Sequence, residues 1–363
     1  MLATLALLLA LPTATGESVR IAVGRFPDVV EVKAAGLTVI ADGKRAPADR
    51  GVVRIAAGAR GPKLGGRDLR GDVIRLEAPA TLALRGHSYH RVLEVQWRRY
   101  DGKPELLVVH PLDLETYVAG IVSSELPGGW PLEAYKAQAV AARTFALWQK
   151  YRRLDLPYHL EASVLDQVYH GVEREHALAT RAADETRGEV LTWHRLVAQA
   201  YFHASCGDRT ESAREGWGTE LPYLPGARCG MCKLATRYGW HARLTRSDVD
   251  RALKPLLGEP VRTLAIKGHT ASGRAKDVVV AGATRQRIIT AADLRRLLGY
   301  STLWSTFIDK LAFEGDTLVV HGKGSGHGVG LCQWGARGMA DAGKGYRDIL
   351  ATYYPGAAVR RAY

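Results

Sequence analysis

The chain has little of what commonly fixes a fold covalently or embeds it in a bilayer. Four cysteines among 363 residues cannot frame the fold with disulfides, although they suffice for one local staple or one metal site. Long apolar runs are absent as well. The one strongly apolar stretch, residues 2–11, is about half the ~20 residues that a membrane-spanning helix needs, which excludes a multi-span membrane protein. Acidic side chains are the minority: 37 against 50 Lys and Arg leave a net charge of +13. That balance favours an anionic partner without saying which anion. What is present is ordinary for a folded protein: 47% hydrophobic and 24% charged residues exclude disorder as the main state. The length predicts about two domains at ~150 residues each.

The apolar stretch 2–11 is followed by Pro12 and the small residues Thr13, Ala14, Thr15 and Gly16. This is the pattern of a secretory signal cut near 14–16, although no Lys or Arg precedes it. We therefore expect residues 1–16 to be a signal peptide, the protein to be exported to periplasm, wall or medium, and any membrane anchor to be weak or cleaved. From 17 to 110 the pattern alternates as short strands do, at 19–23, 29–32, 37–40, 52–55, 73–76 and 92–97, with 58–66 read as a loop. From 111 to 363 helical segments are expected at 114–122, 131–153, 173–186, 247–257, 291–298 and 346–353. Strands are expected at 189–193, 261–266, 278–280 and 317–321. The fold class is thus α+β: an N-terminal antiparallel β-rich module followed by a mixed α+β lobe, the two forming a groove. The 131–153 segment opens on Pro131 with Glu133 in its first turn, and it is rich in alanine, so another backbone can approach one face.

Four clusters could carry chemistry. Glu125 lies in an apolar stretch before the turn Pro127-Gly128-Gly129-Trp130; a carboxyl desolvated there would have a raised pKa, suited to a general acid, while the alternative is a helix-end glutamate in water. Lys136 and Arg143, seven apart, share a helix face with Gln138 nearby, and read either as a cationic stripe or as structural ion pairs. His203, Cys206, Cys229 and Cys232 have the types and spacing of a Cys3His zinc site; the same cysteines read equally as a disulfide. The glycine-rich run 322–335 fits neither a phosphate loop nor a dinucleotide fingerprint, and its His327 reads as proton carrier, ligand contact or structural histidine. Trp130, Tyr169, Trp217 and Trp334 offer flat faces for sugar rings, or simply core.

The segments 112–127, 130–144, 166–171 and 186–191, Ala204-Ser205-Cys206-Gly207 and the run 326–336 together resemble the stage II sporulation protein D/LytB family of cell-wall proteins, in that family's order. The resemblance implies peptidoglycan as substrate and lytic transglycosylase activity on glycan strands stripped of their stem peptides. It places Glu125 at the position of the family's catalytic glutamate. A single carboxyl then serves as acid and base, leaving 1,6-anhydro-muramic ends, unlike the two-carboxylate scheme of most glycosidases. Lys136, Gln138, Arg143, Ser205, His327 and Gln333 fall on motif positions and are expected to line the groove. No cofactor is required by this chemistry, and zinc enters only through the cysteine cluster. Some relatives carry a cysteine and histidine cluster just before the Gln-Val-Tyr motif; here 158–166 holds no cysteine, so no zinc is expected there. A stripped strand carries a free lactyl carboxylate on each muramic acid, which a chain at +13 attracts. A cell-wall amidase is the implied protein partner, and the second reading is a non-catalytic wall-binding enhancer of such an amidase. Nucleic acid is not expected, since no reader motif is present.

Overall fold

The computed structural model describes residues 16–162, 169 and 171–363. The apolar stretch 2–11 lies outside the described residues, as do 163–168 and His170 of the Gln-Val-Tyr motif. Among the described residues no helix is long and apolar enough to cross a membrane.

The alternation of the first hundred residues becomes one eleven-stranded sheet. Its inward-facing positions, among them Val19, Ile21, Val30, Val32, Ile55, Ile74, Leu76, Leu93 and Val95, are all buried, as period-two patterning requires. The expected strand at 92–97 is the middle of a longer one, His87–Tyr100, hydrogen-bonded on either side to Val73–Leu84 and Lys103–Asp113. The segment expected to be a pure loop at 58–66 contains a three-residue strand, Pro62–Leu64, paired with Val52–Ala57. Tight turns on Gly61 and Gly65 hide so short a strand from pattern reading. The expected boundary at 110 falls inside the last long strand, Lys103–Asp113, in which 106–110 are buried on both faces. A further strand, Leu160–Glu161, joins the sheet in parallel beside Ser18–Phe26.

Asp113 ends the sheet and caps the first helix, α1 (Leu114–Glu125): its Oδ1 accepts from the backbone N–H of Glu115 at 3.0 Å and of Thr116 at 3.1 Å. Such a cap is worth about 1 kcal/mol. Helix α2 (Leu132–Arg152) follows, with Pro131 as its N-cap rather than its first turn. Alanine explains its place. Ala134, Ala139, Ala142 and Ala146 pack into the core beneath the sheet, while Ala137, Val140 and Ala141 face a second core. A helix buried on both sides needs small side chains to let its neighbours approach. Around it lie α3 (Ala177–Glu185), the short α4 (Ala213–Trp217), α7 (Gln333–Asp341) and α8 (Tyr346–Tyr353).

Between α4 and α7 the chain builds a third core of its own. Helices α5 (Arg246–Leu257) and α6 (Ala291–Leu298) pack with two three-stranded sheets, Gly239–Thr245/Thr317–Lys323/Ile308–Glu314 and Thr263–His269/Ala275–Ala281/Gln286–Thr290, around Trp240, Leu253, Val278, Leu294 and Val320. The α+β class stands, with strands concentrated first and helices later.

Candidate active site

Glu125 is the last residue of α1, half-buried where the helix gives way to the exposed Pro127-Gly128-Gly129 turn. Gln333 Nε2 donates to its Oε2 at 3.0 Å. Gln333 itself is buried at the start of α7, and its Nε2 also lies 3.5 Å from Gln138 Oε1 on α2. Gln333, from a helix about two hundred residues further along the chain, thus bridges the end of α1 and the buried face of α2. Gln138 is 1% exposed, and its Nε2 has no hydrogen-bond partner among the described residues. A buried donor left open is unusual, because each costs about 1–3 kcal/mol, and it is a feature of sites that receive a ligand. Beside these groups, Trp130 packs edge-on against Trp334 with centroids 4.9 Å apart, and the Arg337 guanidinium lies 5.4 and 5.0 Å from the two rings. Arg337 was not singled out by sequence reasoning; it lies one turn beyond Gln333 on α7, the spacing that could have drawn attention to it.

The other expected groove residues are placed differently. Arg143 is fully buried and cannot line an open groove: its Nε donates to Glu115 Oε1 at 3.0 Å, its Nη2 to Glu115 Oε2, and its Nη1 to the Glu189 carbonyl at 3.1 Å. It is a tie between α1, α2 and the strand Glu189–Trp193. Lys136 is committed to Glu185 at 2.6 Å and Glu133 at 3.0 Å. The seven-residue spacing places both cations on one helix face, as expected, but acidic partners the sequence does not advertise neutralise them there. Ser205 is 2% exposed, and its backbone N–H and C=O pair with Ser325 at 3.0 and 2.7 Å. This pairing explains the glycines of the 322–335 run. Gly324 has φ +72°, and a Cβ there would lie 2.6 Å from the Ser205 carbonyl oxygen.

His327 occupies a different place from Glu125's partners. Its Nδ1 accepts from the Val329 N–H at 3.1 Å, which leaves the proton on Nε2, 2.8 Å from the Phe202 carbonyl. Burial pushes its pKa down to about 4, so the ring is neutral at ordinary pH. It lines a cavity of about 300 Å³ with Glu211, Trp217, Arg274 and Arg295. Trp217 is 43% exposed and rests on Tyr201 with centroids 4.3 Å apart, so it keeps an open aromatic face. Tyr169, by contrast, is core: it is 4% exposed among Tyr89, His110 and Tyr117.

The expected Cys3His set is corrected in one member. His203 Nδ1 faces the Val329 carbonyl at 3.1 Å, and the fourth position of the cluster belongs to Cys332. The sulfurs of Cys206, Cys229, Cys232 and Cys332 lie within 4.8 Å of one another, and none of the four is in a disulfide. Cys332 escaped notice because it is 126 residues from Cys206 and sits inside the glycine-rich motif.

The family model described as stage II sporulation protein matches residues 102–193, the stretch that carries α1, Glu125 and α2. The stage II sporulation protein D of Bacillus subtilis is 30% identical over 272 residues, covering 70% of this chain and 76% of that protein. An uncharacterized protein of Brachyspira hyodysenteriae is 35% identical over 255 residues, 69% of this chain and 67% of its own length. The amidase enhancer of Bacillus subtilis is 27% identical over 290 residues, 65% of this chain but 39% of that longer protein. This chain belongs to the stage II sporulation protein D family.

Proposed function

We propose that this protein cleaves the glycan strands of peptidoglycan as a lytic transglycosylase, with Glu125 as its acid and then its base. One observation carries the reading: a half-buried carboxyl at a helix end, held by Gln333 from a segment 208 residues away, the same amide meeting Gln138, whose buried Nε2 is open among the described residues. Packing alone does not require such a gathering. The Gln333 amide carries no charge, so it orients the carboxyl without enforcing ionisation as a guanidinium does. Glu125 in its acid form gives its proton to the glycosidic oxygen as the bond from C1 of muramic acid breaks. The 6-hydroxyl of the same sugar closes on C1 and returns its proton to Glu125, so no water is consumed and the carboxyl is regenerated. Trp334, half-buried and packed on the core residue Trp130, supplies apolar surface nearby, and the net charge of +13 draws in strands whose lactyl carboxylates have been freed by an amidase. Such a substrate lies outside the cytoplasm, so the reading includes export, in keeping with the apolar stretch 2–11. It needs no nucleic acid and no cofactor in the chemical step.

The test is incubation of the purified protein with amidase-stripped glycan and mass spectrometry of the products. Anhydro-muramic ends are expected from the wild type and not from Glu125→Gln. Similarity to an amidase enhancer supports a second reading, a non-catalytic wall-binding partner of an amidase. Under that reading the protein alone releases nothing, and the amidase runs faster in its presence.

A further inference from the structure

The four cysteines converge from three separate places: Cys206 after the strand Phe202–His203, Cys229 and Cys232 in one loop, and Cys332 as the N-cap of α7. Cys206 and Cys232 sulfurs are 3.6 Å apart, and all four lie within 4.8 Å of one another. Zn–S bonds of ~2.3 Å in a tetrahedron put sulfurs about 3.8 Å apart, so the cluster has the dimensions of a closed tetrathiolate site. Its surroundings suit thiolates. The N–H groups of Cys206 and Gly335 donate to Cys332 Sγ at 3.2 and 3.3 Å, and the Tyr353 hydroxyl is 3.1 Å from Cys229 Sγ. A Cβ at Gly335 would collide with the Tyr353 hydroxyl and Cys229 Sγ, so this position must be glycine for the cluster to close. The buried Arg274, reaching over from the third core, donates to the Cys206 carbonyl at 2.7 Å and places a permanent positive charge beside the sulfurs. These outer contacts are the kind that orient and charge-balance metal-bound thiolates.

We propose that Cys206, Cys229, Cys232 and Cys332 bind one zinc ion, a closed structural site that anchors the start of α7 and the root of the third core. Each ligating thiol releases its proton to solvent, and no electron transfer is involved. Cys332 is the chain neighbour of Gln333, so the ion fixes the backbone from which Gln333 reaches Glu125. The proposal does not depend on the activity assigned above. A glycan-binding protein with no catalysis would hold the same ion.

The experiment uses full-length protein purified without metal-affinity resin and dialysed against metal-free buffer. Elemental analysis should find about one zinc per chain. Thiol titration should find four reactive thiols only after unfolding with a chelator present. Exchange with cobalt(II) should give sulfur-to-metal charge-transfer absorption and the strong visible bands of tetrahedral coordination, a readout that needs no variant. The double variant Cys229→Ser/Cys232→Ser should lose the metal and melt at lower temperature. Cysteines found by mass spectrometry in disulfides, with no zinc bound and no cobalt spectrum, would overturn the proposal. Iron in place of zinc would overturn the choice of metal.

Discussion

Glu115 and Glu125 stand at opposite ends of the same helix, and their surroundings differ in kind. Glu115 is 4% exposed and saturated: it accepts from Arg143, from the Gly188 N–H at 3.0 Å and from the Tyr363 hydroxyl. Burial pushes its pKa up, but the Arg143 guanidinium and the other donors outweigh this and hold the carboxyl below its usual range. Glu125 is half-buried, opens onto an exposed turn and accepts from the Gln333 amide. A carboxyl buried under a permanent cation and two further donors is closed to a substrate, whereas one at the exposed end of a helix is within its reach. Full burial here marks architecture, and an approachable carboxyl marks chemistry.

The contrast is broken most sharply by exchanging the same substitution between the two sites. Glu125→Gln should lower the rate of anhydro-product release by about 10²–10⁴-fold with the melting temperature unchanged, the range for removing a general acid–base group. Glu115→Gln should do the reverse. It leaves Arg143 buried against a neutral amide, a loss of about 3–5 kcal/mol in chemical denaturation, while the surviving folded fraction keeps its activity. Equal activity losses in both variants would show that the two carboxyls do not divide the work this way.

A second handle is pH. His110 is fully buried with neither ring nitrogen hydrogen-bonded among the described residues, and burial, then the His90 charge, pushes its pKa down to about 3. His327 is pushed down to about 4. Both groups bind protons more readily in the unfolded chain, at about pH 6.5, than in the folded one. Their stabilising contribution is therefore complete above pH ~6.5 and lost as pH falls toward 4 for His327 and 3 for His110, on the order of 3 and 5 kcal/mol respectively. Glu115 adds loss at still more acid pH, because its folded pKa is also depressed and its contribution holds only above the ordinary carboxylate range. Denaturation midpoints should hold level from pH 8 to about 6.5 and fall steadily from there to pH 4, and a flat profile throughout would contradict the neutral, buried state of these histidines.

Gln333→Leu tests the orientation of Glu125 more gently. It removes the 3.0 Å donor while keeping bulk at the head of α7, so a loss of about tenfold in turnover is expected, roughly the worth of one hydrogen bond to a charged or reacting group. A retained rate with a raised substrate requirement would assign Gln333 to binding instead.

How much of this was legible in the sequence follows the physics of each signal. Helices with clear caps and periodicity stand where expected, α6 and α8 to the residue and α1 three residues longer. The strand alternation also holds, because one buried face imposes period two. The third core within 239–323 has no such signature, since its strands and helices read like those around it. At the site, Glu125, Gln138 and Gln333 are brought together, whereas Arg143 and Lys136 are neutralised by Glu115, Glu133 and Glu185. Helical spacing shows which residues share a face. It does not show which acid from another segment will meet them, and that meeting decides whether a cation faces substrate or holds the fold. Cys332 was hidden for the same reason, as the three cysteines it meets lie a hundred residues or more away in sequence.

The finest test falls on Lys136, where sequence spacing and structure say different things. The spacing makes it part of a cationic stripe that draws in an anionic strand; the structure gives it two carboxylates, Glu133 and Glu185, and only a 15% exposed side chain. Ion pairs of this kind at the surface contribute about 0–1 kcal/mol, so Lys136→Met should barely move stability. Its effect on glycan binding should be equally small and without a change in salt dependence, because the positive field a distant polyanion senses comes from the whole +13 and not from a cation already paired. Binding of stripped glycan measured at two ionic strengths separates the cases. A weakened affinity together with a shallower salt slope would mean that the strand displaces Glu133 or Glu185 and takes the ammonium for itself. Lys136 would then belong with Glu125 among the groups held ready for substrate, and not with Arg143.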